Sequence, residues 1–283
     1  IAVSTDPGQD TAVVTFAWSF SDNDGVASFS QSHFSGNPFA IGITTVNVSA
    51  TDPSGNTGNA SFTVTVTDNE APVLATTANI STSTDAGLST AVVSYATPTA
   101  TDNAPGVTVA RIAGPASGSA FPIGVTTVTH RATDVAGNTD DESFTVTVAD
   151  NEAPVVTVPA DITVNTDSGQ PTAVVSFSVS AADNTDGAIT PTVTSSPTAG
   201  LASGSAFPIG TTTLSVSATD AAGNTTTETF SVTVADSEPP VFTSIQPDIS
   251  VEVDFNVTST IVAFATPTAM DNSGGVIVNQ TQG

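Results

Sequence analysis

The sequence contains no cysteine and no lysine. Without cysteine, no disulfide can cross-link a small domain, and no thiolate is available as a nucleophile or metal ligand. Without lysine, Lys–Asn isopeptide bonds and lysine-based catalysis are excluded. Small domains gain limited stability from their cores alone, so we expect cations or neighbouring domains to add to it.

Positive charge is nearly absent as well. Two arginines, Arg111 and Arg131, stand against 27 acidic residues, for a formal net charge of −25. Such a chain repels nucleic acids and anionic membrane surfaces, and no apolar stretch reaches the length of a membrane span. We therefore expect no nucleic-acid partner and no direct membrane insertion.

Signatures of catalysis are also missing. The two histidines, His33 and His130, cannot form a zinc site without thiols or further imidazoles. Neither a Gly-x-Ser-x-Gly elbow nor a phosphate-binding loop occurs. Carboxylate pairs can serve hydrolysis, but here they recur at each linker, which favours a structural role. The sequence predicts a protein that is not an enzyme.

Short runs of alternating apolar and polar residues are abundant, as in Phe62-Thr63-Val64-Thr65-Val66, and 21 Gly and 18 Pro separate such runs. A period of two is typical of half-buried strands, and no helical apolar pattern is long enough for a helix. The fold class is therefore predicted to be all-β.

Internal repeats divide the chain into modules. Three motifs recur at intervals of 82 and then 86 residues: Asp68–Pro72, Asp150–Pro154 and Asp236–Pro240; Phe39–Gly42, Phe121–Gly124 and Phe207–Gly210; Thr51–Asn56, Thr133–Asn138 and Thr219–Asn224. We assign modules to residues 1–67, which lack a first strand, to 71–149, to 153–235, and to 239–283, the N-terminal half of a fourth.

A module of about 80 residues with six or seven short strands is typical of an immunoglobulin-like β-sandwich. The prediction is a linear array of tandem modules of this kind. The incomplete modules at both ends indicate that the sequence is a segment of a longer protein. The alternative is that incomplete modules complete one another by strand donation between subunits.

Aromatic residues occupy shared registers of the modules, which predicts that they form the cores. The registers are Phe16, Tyr95, Phe177 and Phe264; Phe62, Phe144 and Phe230; and Phe39, Phe121 and Phe207. His130 occupies the inward-facing position of Val48 and Val216, so a packing role is predicted for it.

The third module carries the fullest set of motifs: Ala153-Pro154-Val155, Pro159-Ala160-Asp161-Ile162, Asp183-Asn184, Phe207–Gly210, Thr219–Asn224 and Phe230–Val234. In this order they resemble the hyalin repeat (HYR) family of immunoglobulin-like extracellular modules. The resemblance implies a secreted or surface protein whose modules act in adhesion or as spacers. Animal members usually carry cysteines, so we expect a bacterial or archaeal surface protein. The acidic linkers are similar to the calcium-binding junctions of cadherins.

Strand parity predicts that three acidic segments meet at each junction: the linker, the loop after the second strand, and the last hairpin turn. The predicted metal ligands are Asp68, Glu70, Asp102, Asn103, Asp134 and Asn138 at the first junction; Asp150, Glu152, Asp183, Asp186, Asp220 and Asn224 at the second; Asp236, Glu238, Asp271 and Asn272 at the third; and Asp22 and Asp52 in the first module.

Carboxylates and amide oxygens from several loops suit calcium better than zinc, so structural Ca²⁺ at the module junctions is the predicted cofactor. The alternative is turn chemistry, because Asp-x-x-Gly-Asn forms a hairpin turn without any ion. The linker glutamates favour the ion, since Glu has no advantage in a turn.

The sequence thus predicts an extracellular or cell-surface stalk or fibre, built of calcium-stiffened repeats, that spaces an adhesive or other tip from the cell. Its partners are neighbouring modules of the same chain, and copies of itself in a fibre. Two alternatives stay open. One is a self-assembling filament subunit; the other is a set of accessory modules for carbohydrate or a receptor, with Trp18 as the candidate contact.

Overall fold

Strands form throughout the chain, as the alternating sequence predicts. The computed structural model describes residues 1–256 and 258–279, which contain 25 strands and no helix. The chain divides into two compact units, Ile1–Asp150 and Asn151–Gly283. Residues 257 and 280–283 of the predicted fourth module lie outside the described residues. No helix of the described part is long and apolar enough to cross a membrane.

The first unit begins with a two-sheet module. Its strands are β1 (Ala2–Ser4), β2 (Thr11–Val13), β3 (Ser28–Gln31), β4 (Pro38–Ala40), β5 (Gly42–Thr51) and β6 (Thr57–Thr67). One sheet has the order β1-β6-β5-β3, and the other pairs β2 with β4. The long hairpin of β5 and β6 forms the centre of the larger sheet.

The second module of this unit repeats the plan with an added first strand. Its strands are β7 (Val73–Leu74), β8 (Ile80–Ser83), β9 (Thr90–Val93), β10 (Ala100–Thr101), β11 (Thr108–Ala113), β12 (Ser119–Pro122), β13 (Gly124–Thr133) and β14 (Thr139–Ala149). The larger sheet has the order β11-β13-β14-β8, while β7 pairs with β10 and β9 pairs with β12.

The second unit contains the third module and a short strand pair. The strands of the module are β15 (Val155–Thr157), β16 (Ile162–Asn165), β17 (Thr172–Val175), β18 (Ser180–Asp183), β19 (Gly187–Ile189), β20 (Thr192–Ser196), β21 (Ser205–Pro208), β22 (Gly210–Thr219) and β23 (Thr225–Ala235). The sheets are β16-β23-β22-β20, β15-β18-β19 and β17-β21. Antiparallel strands β24 (Val241–Ser244) and β25 (Thr268–Met270) follow.

The opening segment of a module changes sheet. In all three modules an early strand pairs parallel with the last strand: β1 with β6, β8 with β14, and β16 with β23. In the second and third modules the preceding strand, β7 or β15, instead pairs antiparallel within another sheet. Pro159 lies at the crossing in the third module, where its missing N–H interrupts strand pairing. The predicted tandem β-sandwich fold is confirmed.

Each of these three modules has its own apolar core, in the registers that the sequence predicted. Phe39, Phe121 and Phe207 are fully buried. The other two aromatic registers meet edge to face, with ring centroids 5.2 Å apart for Phe16 and Phe62, 5.1 Å for Tyr95 and Phe144, and 5.0 Å for Phe177 and Phe230. This edge-to-face geometry is the preferred arrangement of aromatic pairs.

Phe264, the counterpart of Phe16, Tyr95 and Phe177 in the fourth module, does not lie in a core. Phe264 is 50 % exposed, so the prediction that it lies in a core was wrong. Among the described residues after 238, strands β24 and β25 are the only ones, and none of these residues belongs to a buried cluster. With no second sheet over it there, the ring keeps its contact with water.

The glycine of the Phe-x-Ile-Gly motif has a backbone reason. Gly42, Gly124 and Gly210 stand where the chain leaves the small sheet and enters the long strand of the larger one. Their φ angles are 110°, 98° and 106°. A side chain is strained in this region, which glycine enters freely. The motif therefore marks a corner between two sheets and not a binding loop.

Trp18 belongs mainly to the aromatic cluster of the first module. Its ring centroid lies 5.3 Å from those of Phe16 and Phe62, and its Nε1 donates to Oε1 of Gln31 at 2.6 Å. A cleft of about 510 Å³ opens beside it, with Phe20 in its wall. Binding of carbohydrate or a receptor at this place stays a prediction.

His130 is buried in the core of the second module, which confirms its predicted packing role. It is 2 % exposed, with Tyr95 and Phe144 at ring-centroid distances of 5.9 and 6.3 Å. Its Nδ1 has no hydrogen-bond partner among the described residues. Burial, and then the charge of Arg111, lower the pKa of His130. The neutral imidazole is therefore the form that the folded module favours.

We expect His130→Val, which installs the residue found at Val48 and Val216, to reduce the loss of stability on mild acidification. Because the pKa of His130 is lower in the folded than in the unfolded state, its neutral form supports folding above the unfolded pKa of about 6.5. That contribution is lost as the pH falls below this value.

Urea unfolding followed through the NMR ring signals of Tyr95, the one tyrosine of the chain, measures this between about pH 7.5 and 5.5. His33→Val, in the same unit but on the surface, should keep the slope of the parent. An equal decline of stability in His130→Val and in the parent protein would contradict the expectation.

Candidate metal centre

Three aspartates of the first unit come together where the first linker meets the loops at one end of the second module. Asp68 follows β6, Asp102 follows β10, and Asp134 follows β13. Each contributes a carboxylate oxygen to a set in which all atoms lie within 4.8 Å of one another. Asp68 and Asp134 are only 6 % and 8 % exposed. The three acidic segments thus meet at the first junction, while their role as metal ligands stays a prediction.

Asp134 is fully engaged in its own hairpin turn. Its Oδ1 accepts from the backbone N–H groups of Gly137 at 2.6 Å and Asn138 at 2.8 Å. Its Oδ2 accepts from Nδ2 of Asn138 at 2.8 Å. Burial raises the pKa of Asp134, but these hydrogen bonds outweigh burial and hold the pKa below its usual value. The carboxylate is therefore kept charged, and turn chemistry accounts for its position.

Asp102 retains an oxygen that the turn does not use. Its Oδ2 accepts from the N–H of Ala104 at 3.2 Å, whereas its buried Oδ1 has no hydrogen-bond partner among the described residues. The buried Oδ1 of the next residue, Asn103, also has none there. Buried oxygens without a partner cost free energy. The cluster is therefore short of a donor or a cation.

No cationic side chain of the described residues supplies that partner. Arg131 forms a surface ion pair with Asp141 at 2.7 Å. Arg111 donates to the carbonyl oxygen of Gly114. The nearest compensation within the cluster is the amide of Asn103, whose Nδ2 donates to Oδ1 of Asp68 at 3.2 Å. One amide cannot neutralise three carboxylates.

The second unit repeats this arrangement in its own loops. Carboxylate oxygens of Asp183 and Asp220 lie within 4.8 Å of each other. The Oδ1 of Asp183 accepts from the N–H and hydroxyl of Thr185 at 2.9 and 2.7 Å, but its buried Oδ2 has no partner among the described residues. Burial raises the pKa of Asp183, while Thr185 and neighbouring N–H groups lower it further than burial raises it. Asp150 is the sequence counterpart of Asp68.

The asparagines of the hairpin turns hold the linker backbone. Nδ2 of Asn138 donates to the carbonyl oxygen of Asp68 at 3.2 Å, and Nδ2 of Asn224 donates to that of Glu152 at 3.1 Å. Both amides also donate to the aspartate of their own turn, Asp134 or Asp220, at 2.8 Å. Each asparagine therefore ties a turn to the linker that enters beside it.

Other predicted ligands lie outside the three-carboxylate sets of the described residues. Asp186 accepts from the N–H of Ala221 at 2.6 Å, and Asp22 accepts from the N–H of Asp24 at 2.9 Å. Asp52 is held by Asn56 at 2.8 Å, and this side-chain hydrogen bond lowers the pKa of Asp52.

The third junction gathers two carboxylates. Hydrogen bonds from Ser273 and from the N–H of Glu238, with further contacts to Asn272 and Asp271, lower the pKa of Asp236. Asp271 accepts from the N–H of Ser273 at 2.9 Å. Within the described residues, no hairpin aspartate joins this pair.

The linker glutamates have contacts with backbone N–H groups that the sequence did not predict. Oε2 of Glu70 accepts from the N–H of Gly8 at 2.9 Å, and Glu238 accepts from the N–H of Gly169. Both glycines lie in the first turn of the preceding module. The recurring Asp-x-Gly-Gln at 6–9 and 167–170 was the signal in the sequence that marked these turns as equivalent.

Tandem β-sandwich modules with carboxylates gathered where a linker enters define the class of this chain: an all-β protein of repeated modules. Within this class the HYR domain model matches residues 1–66, 67–148 and 149–234, and the chain belongs to this family. Proteins made of HYR repeats form an adhesive and structural, non-enzymatic family. The resemblance seen in the motifs of the third module is confirmed.

Relatives come from animals and from a bacterium. Hyalin of Lytechinus variegatus is 39 % identical over 264 residues, covering 89 % of this chain and 48 % of that protein. Hyalin of Strongylocentrotus purpuratus is 37 % identical, covering 89 % of this chain and 21 % of that protein. A serine-rich adhesin for platelets of Staphylococcus aureus is 35 % identical over 152 residues, which are 47 % of this chain and 6 % of that protein.

The chain therefore spans about half the length of the first of these relatives and less of the others. These homologues are extracellular hyalin and surface adhesins. The expected bacterial or archaeal origin of this chain stays a prediction.

Among solved structures, the chain is similar to extracellular cadherin domains 1–5 of protocadherin gamma B2, with 13 % identity and a TM-score of 0.37. That match covers 86 % of this chain and 60 % of the other. A similar match to Drosophila N-cadherin EC1-3 has 15 % identity and a TM-score of 0.32, and covers 83 % and 98 %.

We expect Asn138→Ala to destabilise its hairpin more than Asn56→Ala destabilises the equivalent hairpin of the first module. Both variants lose the amide contact with the aspartate of the turn, but only Asn138 also donates to a linker carbonyl oxygen. A hydrogen bond to a charged group contributes about 1.5–3 kcal/mol. The cost for Asn138→Ala should lie in this range and that for the exposed Asn56→Ala below it.

Hydrogen exchange by mass spectrometry, read separately on the hairpins β13–β14 and β5–β6, provides the comparison. Equal loss of protection in the two variants would mean that the contact with the linker contributes nothing.

Proposed function

We propose that this chain is part of an extracellular stalk or fibre whose tandem HYR modules are stiffened by structural calcium. The observation that carries the proposal is the buried, unpartnered Oδ1 of Asp102. Its carboxylate forms a set with Asp68 and Asp134 in which one oxygen of each residue lies within 4.8 Å of the others. Asp183 is the counterpart of Asp102 in the next module, and the buried Oδ2 of Asp183 also has no hydrogen-bond partner among the described residues. An unpartnered carboxylate oxygen at the same place in two modules is better explained by a ligand common to both sites than by chance.

The chemistry of the donors favours calcium. Calcium takes six to eight oxygen ligands in flexible geometry, including carboxylates, amide oxygens and backbone carbonyls. The first cluster offers three carboxylates together with the buried Oδ1 of Asn103. It offers no sulfur or imidazole ligand of the kind that zinc prefers. Magnesium demands a small, regular octahedron, for which loops from three segments are less suited.

The ion would act by joining two modules. Asp68 continues the last strand of the first module, while Asp102 and Asp134 belong to loops of the second. An ion held by all three links the end of one sandwich directly to the next. Without it, carboxylates a few ångströms apart repel one another and oppose alignment of the modules.

The role that follows is mechanical, and not enzymatic. A row of such modules would hold an adhesive or other tip at a distance from the cell surface, with neighbouring modules of the same chain as the principal partners. The adhesive and structural nature of the HYR family supports this role. The weak calcium affinity of sites with few charges would still suffice outside cells, where calcium is millimolar.

Calcium titration of the full chain by isothermal calorimetry tests the site. We expect the double variant Asp102→Asn/Asp183→Asn to bind calcium at least about tenfold more weakly than the parent, because each substitution removes a charged ligand from a cluster. Glu142→Gln/Glu228→Gln removes the same number of charges from the strands β14 and β23, and should bind as the parent does. Absence of binding at millimolar calcium, or unchanged affinity in the first double variant, would exclude this site.

X-ray scattering tests the mechanical part. At fixed ionic strength, the parent chain should be stiffer with millimolar calcium than with excess chelator, and should recover when calcium is restored. The calcium-dependent difference should be smaller in Asp102→Asn/Asp183→Asn. The scattering profile could stay unchanged by calcium although calorimetry detects binding. Calcium would then bind without stiffening the chain, and the proposed mechanical role would be wrong.

A further inference from the structure

The linker glutamates reach back to the preceding module at two junctions. In the first unit, Oε2 of Glu70 accepts from the backbone N–H of Gly8 at 2.9 Å. In the second unit, Oε1 and Oε2 of Glu238 accept from the N–H of Gly169 at 3.2 and 2.9 Å. Gly8 and Gly169 are equivalent residues of two different modules. The same contact therefore recurs at equivalent places of two repeats.

An asparagine makes the opposite contact to the same turn. Nδ2 of Asn103 donates to the carbonyl oxygen of Gln9 at 2.9 Å. Nδ2 of Asn272 donates to the carbonyl oxygen of Gln170 at 3.1 Å and to Oγ1 of Thr166 at 3.1 Å. At each of these junctions the turn thus donates to a glutamate and accepts from an asparagine.

The turn itself is rigid enough to present this pair of groups. In the first module, the N–H of Gln9 donates to the carbonyl oxygen of Asp6, and Oδ2 of Asp6 accepts from the N–H of Val13, both at 2.9 Å. The turn of the third module has the equivalent bonds at Asp167. Gly8 and Gly169 have φ angles of 70° and 68°. Glycine adopts this left-handed conformation without strain, and its N–H is the group that donates to the glutamate.

We propose that Glu70 and Glu238, with Asn103 and Asn272, form a cation-independent latch that docks each linker on the Asp-x-Gly-Gln turn of the module before it. The glutamates are then positioning residues of the junction and not metal ligands. Neither belongs to a three-carboxylate set in the described residues. The latch acts whether or not an ion is bound, so it goes beyond the proposed calcium function.

Asn103 connects the latch with the carboxylate cluster. Its Nδ2 lies between the carbonyl oxygen of Gln9 and Oδ1 of Asp68, at 2.9 and 3.2 Å. Its Oδ1 is buried without a hydrogen-bond partner among the described residues. Docking of the turn therefore orients this amide oxygen before any ion arrives. An ion that binds there meets a junction that is already aligned.

Pulsed electron paramagnetic resonance on the full chain measures the latch. Because the sequence has no cysteine, Ile43→Cys and Val125→Cys, at exposed and equivalent strand positions of the first two modules, provide unique sites for spin labels. In excess chelator we expect Glu70→Ala to widen the distance distribution, with the docked-to-open ratio about fivefold lower, since a charge-assisted hydrogen bond is lost. Glu70→Gln keeps an acceptor oxygen and should recover part of the docking.

Calcium affinity distinguishes a positioning residue from a ligand. Glu70→Ala should bind calcium within about twofold of the parent, whereas Asp102→Asn should bind about tenfold more weakly. In chelator Asp102→Asn should not widen the distance distribution, because it removes a repelling charge and leaves the latch intact. Glu142→Gln, on a strand face of the second module, should change neither quantity. Thermal unfolding of each variant confirms that the modules remain folded, as expected for the exposed side chain of Glu70.

Two results would overturn the latch. One is a distance distribution of Glu70→Ala in chelator that equals the parent; the other is a loss of calcium affinity in Glu70→Ala as large as in Asp102→Asn. If no variant and no parent binds calcium, the proposed stiffening by calcium fails, while the measurement in chelator still decides the latch.

Discussion

The structure depends on how a strongly acidic chain accommodates carboxylates where its modules join. Three carboxylates share a space of 4.8 Å beside the first linker, and two of the three residues are almost fully buried. Each of the three modules with a buried cluster has a small core and no disulfide. Little core energy is therefore available to oppose charge repulsion at a junction. The arrangement of hydrogen bonds, and any ion, decides whether that repulsion separates the modules or joins them.

Turn chemistry and cation binding are often weighed as alternatives for acidic loops, but here one cluster contains features of both. Both oxygens of Asp134 serve the hairpin turn, and Asp52 has the same contacts with no three-carboxylate set among the described residues. Asp102 and Asp183 instead satisfy one oxygen in the loop and leave the other buried without a partner there. The hairpin asparagine fixes the linker, and the loop aspartate provides the group that a cation would satisfy. The two explanations are therefore complementary.

Much of this could be predicted from sequence because it depends on periodicity. The two-residue alternation fixed which faces are buried, and the spacing of Phe39, Phe121 and Phe207 revealed shared cores. Strand parity also sufficed to bring Asp102 and Asp134 to one end. The contacts of Glu70 and Glu238 were not predictable in this way, because their partner is a backbone N–H. Nearly every residue type has this group, so the sequence does not mark which one will be used. Phe264 was wrongly placed in a core since register alone does not say whether a second sheet covers it.

Direction and stiffness of a junction have separate physical origins in this arrangement. Hydrogen bonds are directional and short, so the contacts of Glu70 with Gly8 and of Asn103 with Gln9 select one orientation of neighbouring modules. An ion among carboxylates is less directional, but it removes the repulsion that would open the same contacts. Asn103 takes part in both, since one amide nitrogen contacts the turn and the cluster. Loss of this residue should therefore disturb alignment and ion binding together, whereas loss of Glu70 should disturb alignment alone.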